Sequence, residues 1–254
     1  MIGLALSAII ATSLQVAGSN VTYQHAGTTL EGYVAKDTSW KDPRPVVLIV
    51  HDWNGIDDYE MRRAREIASL GYIGFAIDIY GKGVRPKNAQ ESAAEAGKYR
   101  GAPDLFRARL KAGMEFAQKM NGADPSKIGA MGYCFGGGGV LELARSGAPV
   151  LGVVSFHGSL GTKDPTEAKN IKGKVLVLHG ADDPFVPDAQ VAAFMKEMRD
   201  ASVDYQFVSY GGAVHSFTEP NAGSNKASGA AYDANADKRS WSAMREFFKE
   251  LFGK

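Results

Sequence analysis

The sequence predicts an α/β fold: a mostly parallel, twisted sheet with helices on both faces. Three observations carry that expectation. Short apolar runs alternate with helical patterns along most of the chain. Runs such as Pro45–Val50 are continuously apolar, as strands covered on both faces must be. Thirty glycines in 254 residues suit the tight turns that join strand to helix in such folds. The length fits one domain with one sizeable core.

Taken in order, the first segment stands apart. Residues 1 to about 16 are small and apolar (Ile2, Leu4, Leu6, Ile9, Ile10), too few to span a membrane. They read as the apolar stretch of a secretory signal, with Ala11-x-Ser13 or Val16-x-Gly18 as cleavage candidates. No Lys or Arg precedes Lys36, so the basic start of such a signal is missing. The segment 1–18 is therefore either a signal peptide or an N-terminal extension, and 19–254 is the domain. A periplasmic or secreted location is expected, with a cytoplasmic one as the alternative.

Val21–Tyr23 and Leu30–Val34, separated by His25-Ala26-Gly27-Thr28, read as an antiparallel hairpin. Strand Pro45–Val50 follows, then a helix from Asp57 to Leu70 stopped by Gly71. Tyr72–Ile77 is the next buried strand, and Leu105–Met120 an amphipathic helix closed by Asn121-Gly122. A strand at Ile128–Met131 runs into a helical pattern from Val140. Strands Val150–Phe156 and Val175–Leu178, helix Ala189–Met198, strand Tyr205–Val208 and helix Ser240–Leu251 complete the chain. In such sheets, chemistry gathers in the loops after the carboxyl ends of the strands.

The stretch Gly132-Tyr133-Cys134-Phe135-Gly136-Gly137 sits in such a place. It is the strand–nucleophile–helix turn G-x-nucleophile-x-G, with cysteine where serine is usual. Flanking glycines let strand and helix close around a strained residue whose side chain stands clear of the sheet. The next amide, Phe135 N–H, falls at a helix N-terminus and is a candidate oxyanion donor. A lone cysteine is more often core than catalyst, so the assignment needs a base and an acid. Downstream, one strand ends in His179-Gly180-Ala181-Asp182-Asp183-Pro184, and the last long loop carries Val214-His215-Ser216-Phe217. Nucleophile, then acid (Asp182 or Asp183), then His215 is the chain order of α/β-hydrolases. The base is expected to activate a thiol that is only partly ionised near neutrality, so activity should rise as His215 loses its proton. Of the other histidines, His51 and His179 end strands and read as structural, His157 as packing, and His25 as solvated.

These motifs resemble the dienelactone hydrolase family. The matching residues are the Cys134 turn, Asp183-Pro184-Phe185-Val186-Pro187, His215-Ser216-Phe217, His51-Asp52-Trp53-Asn54-Gly55 and Asp78-Ile79-Tyr80. The likeness runs from about Leu30 to the C-terminus. It implies an α/β-hydrolase fold and a Cys134–His215–Asp183 triad that attacks an ester or lactone carbonyl. It selects Asp183 because the family acid stands four residues before the proline corresponding to Pro187. It implies Trp53 N–H as the second oxyanion donor. Asp52 occupies the place of a glutamate that helps activate the thiol, and is shorter by one methylene. Where family members acting on dienelactone carry an arginine four residues after the histidine, this chain has Glu219, which would repel an anionic substrate. Lys82 and Arg85 are candidates for another positive group.

The expected function is hydrolysis of carboxylic esters or lactones through a cysteinyl thioester. The alternatives are a thiol-dependent acyl transferase on the same fold and a non-catalytic small-molecule binding member of the family. Acceptor alcohols or thiols would separate transfer from hydrolysis, and a complete triad argues against the binding protein. A net charge of +1 with interspersed acids and bases gives no footprint for nucleic acid or an anionic membrane. No His/Cys cluster has zinc-ligand spacing and no cofactor is implied; a monomer is the default.

Overall fold

The computed structural model describes residues 15–253. Strands β1 (Val16–His25) and β2 (Thr28–Asp37) form the expected hairpin, joined by Ala26-Gly27 with φ of 46° and 77°. Positive φ at both turn residues matches the twist of the flanking strands. The ladder begins at Val16 opposite Asp37, and Thr38 N–H donates to Gln15 O at 3.1 Å. Residues 16–18, expected in the N-terminal extension, are therefore part of the sheet, and the cleavage candidate Val16-x-Gly18 lies inside a strand. The candidate Ala11-x-Ser13 lies outside the described residues.

Six further strands follow: β3 (Arg44–Val50), β4 (Ile73–Ile77), β5 (Ala123–Tyr133), β6 (Gly152–Phe156), β7 (Lys174–Gly180) and β8 (Tyr205–Tyr210). The sheet order is β1-β2-β4-β3-β5-β6-β7-β8. Strands β3 to β8 run parallel, and β2 joins β4 antiparallel. The mostly parallel sheet of the α/β-hydrolase fold is thus present, with an antiparallel hairpin on one edge.

Six helices cover it: α1 (Asp58–Ser69), α2 (Ala89–Gly101), α3 (Pro103–Gln118), α4 (Phe135–Arg145), α5 (Asp188–Asp200) and α6 (Ala234–Phe252). One apolar layer packs α1 and α6 on the sheet through Ile67, Met244 and Phe248; the other packs α2 to α5 through Tyr99, Leu110, Val140 and Phe194. Helix α1 starts at a capping box, Asp57 accepting from the first turn and Glu60 reaching back to the Asp57 N–H at 3.0 Å. Among the described residues, no helix is long and apolar enough to cross a membrane.

The chain leaves β3 for β4 on one side and, through α2 and α3, reaches β5 on the other. This reversal opens a crevice outside the carboxyl ends of β3 and β5. Helix α2 has no counterpart among the expected elements. It buries only Ser92, Ala96 and Tyr99 and has almost no apolar stripe, so its sequence lacks the periodicity that marks a packed helix.

Candidate active site

Strand β5 passes into helix α4 with only Cys134 between them, at φ 50° and ψ −109°. A Cβ on Gly132 would lie 2.2 Å from Gly136 O, and one on Gly136 would lie 2.2 Å from Val50 O. Only glycine at both places lets β5, α4 and β3 come this close. Phe135 is the first residue of α4, where backbone N–H groups lack intrahelical partners and carry the positive end of the helix dipole. Its side chain is buried and stacks on Phe106 at 4.5 Å, which leaves the amide as its contribution to the site.

The loop after β7 holds two adjacent aspartates with different fates. Asp182 is exposed, whereas Asp183 is buried. Asp183 Oδ1 accepts from Phe185 N–H at 2.9 Å, and its Oδ2 accepts from His215 Nδ1 at 2.7 Å. His215 lies in the long loop after β8, pinned on both sides: its N–H donates to Gly229 O at 3.1 Å, and its C=O accepts from Ala231 N–H at 3.0 Å. The Cys134 side chain is near enough to the imidazole to act on its proton. The structure thus brings Cys134, His215 and Asp183 together.

Burial alone would push the His215 imidazole down. The hydrogen bonds to Asp183 and Cys134, with their negative charges, overcome it and raise His215 to about 10. The sequence led to an expectation of a histidine that activates the thiol by losing its proton. The raised His215 favours the reverse, an imidazole that keeps its proton beside the Asp183 carboxylate.

Trp53 is half-buried in the loop after β3, its carbonyl fixed by the Tyr80 hydroxyl at 3.0 Å. Asp52 is hydrogen-bonded within its own loop. Its Oδ1 accepts from Asn54 N–H at 2.6 Å and its Oδ2 from Asn54 Nδ2 at 3.1 Å, so a side chain one methylene shorter is turned into its own loop. Burial pushes Asp52 up to about 7; the Asn54 amide opposes this, and the charges of Asp57 and Glu219 add to it. Glu219 accepts from Asn221 N–H at 3.0 Å and is itself raised by burial. Lys82 pairs with Glu31 at 3.0 Å, and Arg85 donates to Val84 O at 2.8 Å. A cleft of about 610 Å³ flanks the first turn of α4, between Phe135, Gly138, Arg100 and Ser159; none of Cys134, Asp183 and His215 lines it.

His51 is buried as a structural residue: its Nδ1 lies 2.6 Å from Asp52 O, its Nε2 accepts from Ile79 N–H at 3.3 Å, and burial pushes it down to about 4. His179 is buried against Phe207, and His25 is half-buried rather than solvated. His157, read from sequence as packing, does more. Its Nδ1 accepts from Cys134 N–H at 3.2 Å and its Nε2 lies 2.8 Å from Thr218 Oγ1. Sequence reading missed this link, and missed Thr218 and Tyr59 beyond it. The only available signal was a His-Gly pair at the carboxyl end of a fully buried strand.

The dienelactone hydrolase family model matches residues 30–252. The chain belongs to the dienelactone hydrolase family. A solved structure described as a dienelactone hydrolase-like promiscuous phosphotriesterase from metagenomic libraries superposes with a TM-score of 0.90 at 39% identity, over 94% of this chain and 99% of that one. An uncharacterised protein of Caenorhabditis elegans is 40% identical over 149 residues, which is 57% of this chain and 92% of that one. A Synechocystis protein with the provisional name carboxymethylenebutenolidase is 24% identical over 90% of this chain and 95% of its own. As a dienelactone hydrolase family member, the protein is a hydrolase of carboxylic esters or lactones.

Proposed function

We propose that the protein cleaves neutral carboxylic esters or lactones through a thioester on Cys134, with His215 carrying the proton and Asp183 orienting the imidazole. The Cys134 thiolate attacks the carbonyl carbon, a C–S bond forms, and the carbonyl oxygen becomes an oxyanion held by the N–H groups of Phe135 and Trp53. The adduct collapses, the ester C–O bond breaks, and the imidazolium of His215 gives its proton to the departing alkoxide. In a lactone that alkoxide stays tethered to the acyl group. His215, now neutral, takes a proton from water as the water oxygen attacks the thioester. The C–S bond then breaks, and acid, thiolate and imidazolium are regenerated.

The observation that carries this reading is the 2.7 Å bond from His215 to Asp183, on an imidazole that also feels the Cys134 side chain. Preference for neutral substrates rests on the acids around the crevice: Glu219 and Asp52 are both raised by burial, and each further negative charge there is unfavourable. Alkylation tests the nucleophile. Cys134 is the sole cysteine of the chain, so iodoacetamide should place one adduct per chain and abolish hydrolysis of p-nitrophenyl esters. Full turnover by completely alkylated protein would remove Cys134 from the mechanism.

A further inference from the structure

We propose that His157 is a positioning residue: a neutral imidazole that ties the backbone of the nucleophile to the loop of the base and so fixes the separation of Cys134 and His215. This rests on the thiol chemistry proposed above. A backbone N–H can only donate, so His157 Nδ1, 3.2 Å from Cys134 N, accepts and carries no proton. The Cys134 N–H is shared with Phe156 O at 3.1 Å. The ring proton therefore sits on Nε2, which donates to Thr218 Oγ1 at 2.8 Å. The Thr218 hydroxyl in turn donates to Tyr59 Oη at 2.7 Å, and the Tyr59 hydroxyl returns to Thr218 O at 3.3 Å. Arg63 donates to the same carbonyl at 3.3 Å and is anchored on Asp237 at 2.7 Å.

Thr218 stands three residues after His215, in the same loop. The chain of bonds therefore starts at the nucleophile's amide, enters the segment that presents the base, and ends on α1, the helix that follows the Trp53 loop. His157, Thr218, Tyr59 and Arg63 are all buried, so no solvent substitutes for a missing link.

Two further observations fit a positioning role. Among the described residues, five non-glycines have positive φ; two of them, Cys134 at 50° and His157 at 38°, lie in this network, and a third, Ser216 at 56°, adjoins His215. Such conformations persist only where the surroundings fix them, and here they flank both reacting side chains. The second is chemical. Packing alone would be met by any flat apolar ring, but this place needs an acceptor at the δ position and a donor at the ε position. A neutral imidazole in one tautomer supplies both. Burial, with the charge of His215 at a ring separation of 5.2 Å, holds His157 well below its ordinary range and keeps it neutral.

The two ends of the link separate by substitution. In His157→Asn the amide oxygen stands where Nδ1 stood and keeps the Cys134 contact. In His157→Gln the amide nitrogen stands where Nε2 stood and keeps the Thr218 contact. Thr218→Val cuts the link from the other side, and Thr218→Ser restores the hydroxyl. The readouts are kcat and KM for a neutral p-nitrophenyl ester, the pH dependence of Cys134 alkylation by iodoacetamide, and thermal melting. His157→Asn, His157→Gln and Thr218→Val should each lower kcat about tenfold to a hundredfold with KM little changed. Each should also move the alkylation profile to higher pH, because the thiolate–imidazolium contact is loosened. Thr218→Ser should stay near wild type, and His157→Asn/Thr218→Val should be no worse than the worse single variant. Folded variants with the wild-type kcat and alkylation profile would overturn the proposal, as would equal losses in Thr218→Val and Thr218→Ser. If a His157 variant does not fold, the Thr218 pair decides. Turnover by fully alkylated wild type would instead overturn the thiol mechanism; silencing by alkylation with unaffected variants would overturn the role of His157 alone.

Discussion

Asp182 and Asp183 are one residue apart, yet only Asp183 is buried against His215. Asp183→Asn keeps the shape of the side chain and removes the anion that orients and stabilises the imidazolium. It should lower kcat by about two to four orders of magnitude, while Asp182→Asn should change kcat by less than about twofold. Steady-state kinetics of the two variants checks this, and reversed losses would move the acid by one position. Glu219 makes the second prediction at this scale. Its carboxylate is half-buried and near enough to Asp52 to raise it. Glu219→Arg should therefore improve kcat/KM for a carboxylate-bearing ester by about ten- to a hundredfold relative to its neutral analogue. An unchanged ratio would mean that Glu219 acts only as the cap of the turn at Asn221.

At the scale of elements, α4 is fixed at both ends. Its first turn is pressed between β3 and β5 by Gly132 and Gly136, and its last turn carries the buried Arg145. Arg145 Nε and Nη2 each lie 2.8 Å from the Glu197 carboxylate of α5, Nη2 also donates to Leu160 O at 2.9 Å, and Nη1 donates to Glu142 at 3.2 Å. Glu197→Ala would leave that guanidinium buried with half its partners gone. It should lower stability by about 3–5 kcal/mol, measured by denaturant unfolding, with little change in kcat of the folded fraction. Loss of less than about 1 kcal/mol would show that water or Glu142 compensates. The elements were legible in proportion to their periodicity. The buried strands β3, β4, β6 and β7 and the helices α1 and α3 have strong apolar patterns and lie within two or three residues of their expected limits, whereas β5 and α6 begin earlier than expected, at Ala123 and Ala234. Helix α2, rich in Ala, Gly and charge, has none and was invisible. Strand β1 alternates weakly because it is an exposed edge, so its start at Val16 was masked by the apolar segment before it.

For the molecule as a whole, a strand order that reverses beside β3 gathers loops from four strands into one crevice. Cys134, Asp183 and His215 are far apart in sequence and could be read from it because each is a chemically recognisable residue at a strand end. The supports could not. Thr218 and Tyr59 are ordinary residue types, and only the folded chain brings them, 159 positions apart, to 2.7 Å. Nor could sequence fix the state of the proton, which depends on how the Asp183 and Cys134 contacts outweigh burial. His215 held at about 10 sets the last prediction. The imidazolium is the acid for the leaving group, so kcat/KM for a poor alcohol leaving group should hold through neutrality and fall as pH passes about 10. A pH profile that instead rises through 6.5 with histidine deprotonation would restore the neutral-base mechanism.

The turn at residue 134 is shaped by what lies around it: carbonyls of β3 and α4 against two bare Cα atoms, and an amide shared between Phe156 and His157. None of these contacts involves the sulfur. The mould therefore fixes a position and leaves the element that occupies it open, so oxygen could sit where sulfur sits without disturbing the architecture. What would change is the conversation with the imidazole, since a hydroxyl keeps its proton where a thiol gives it up. Chemistry and scaffold are separable parts here, joined at a single atom.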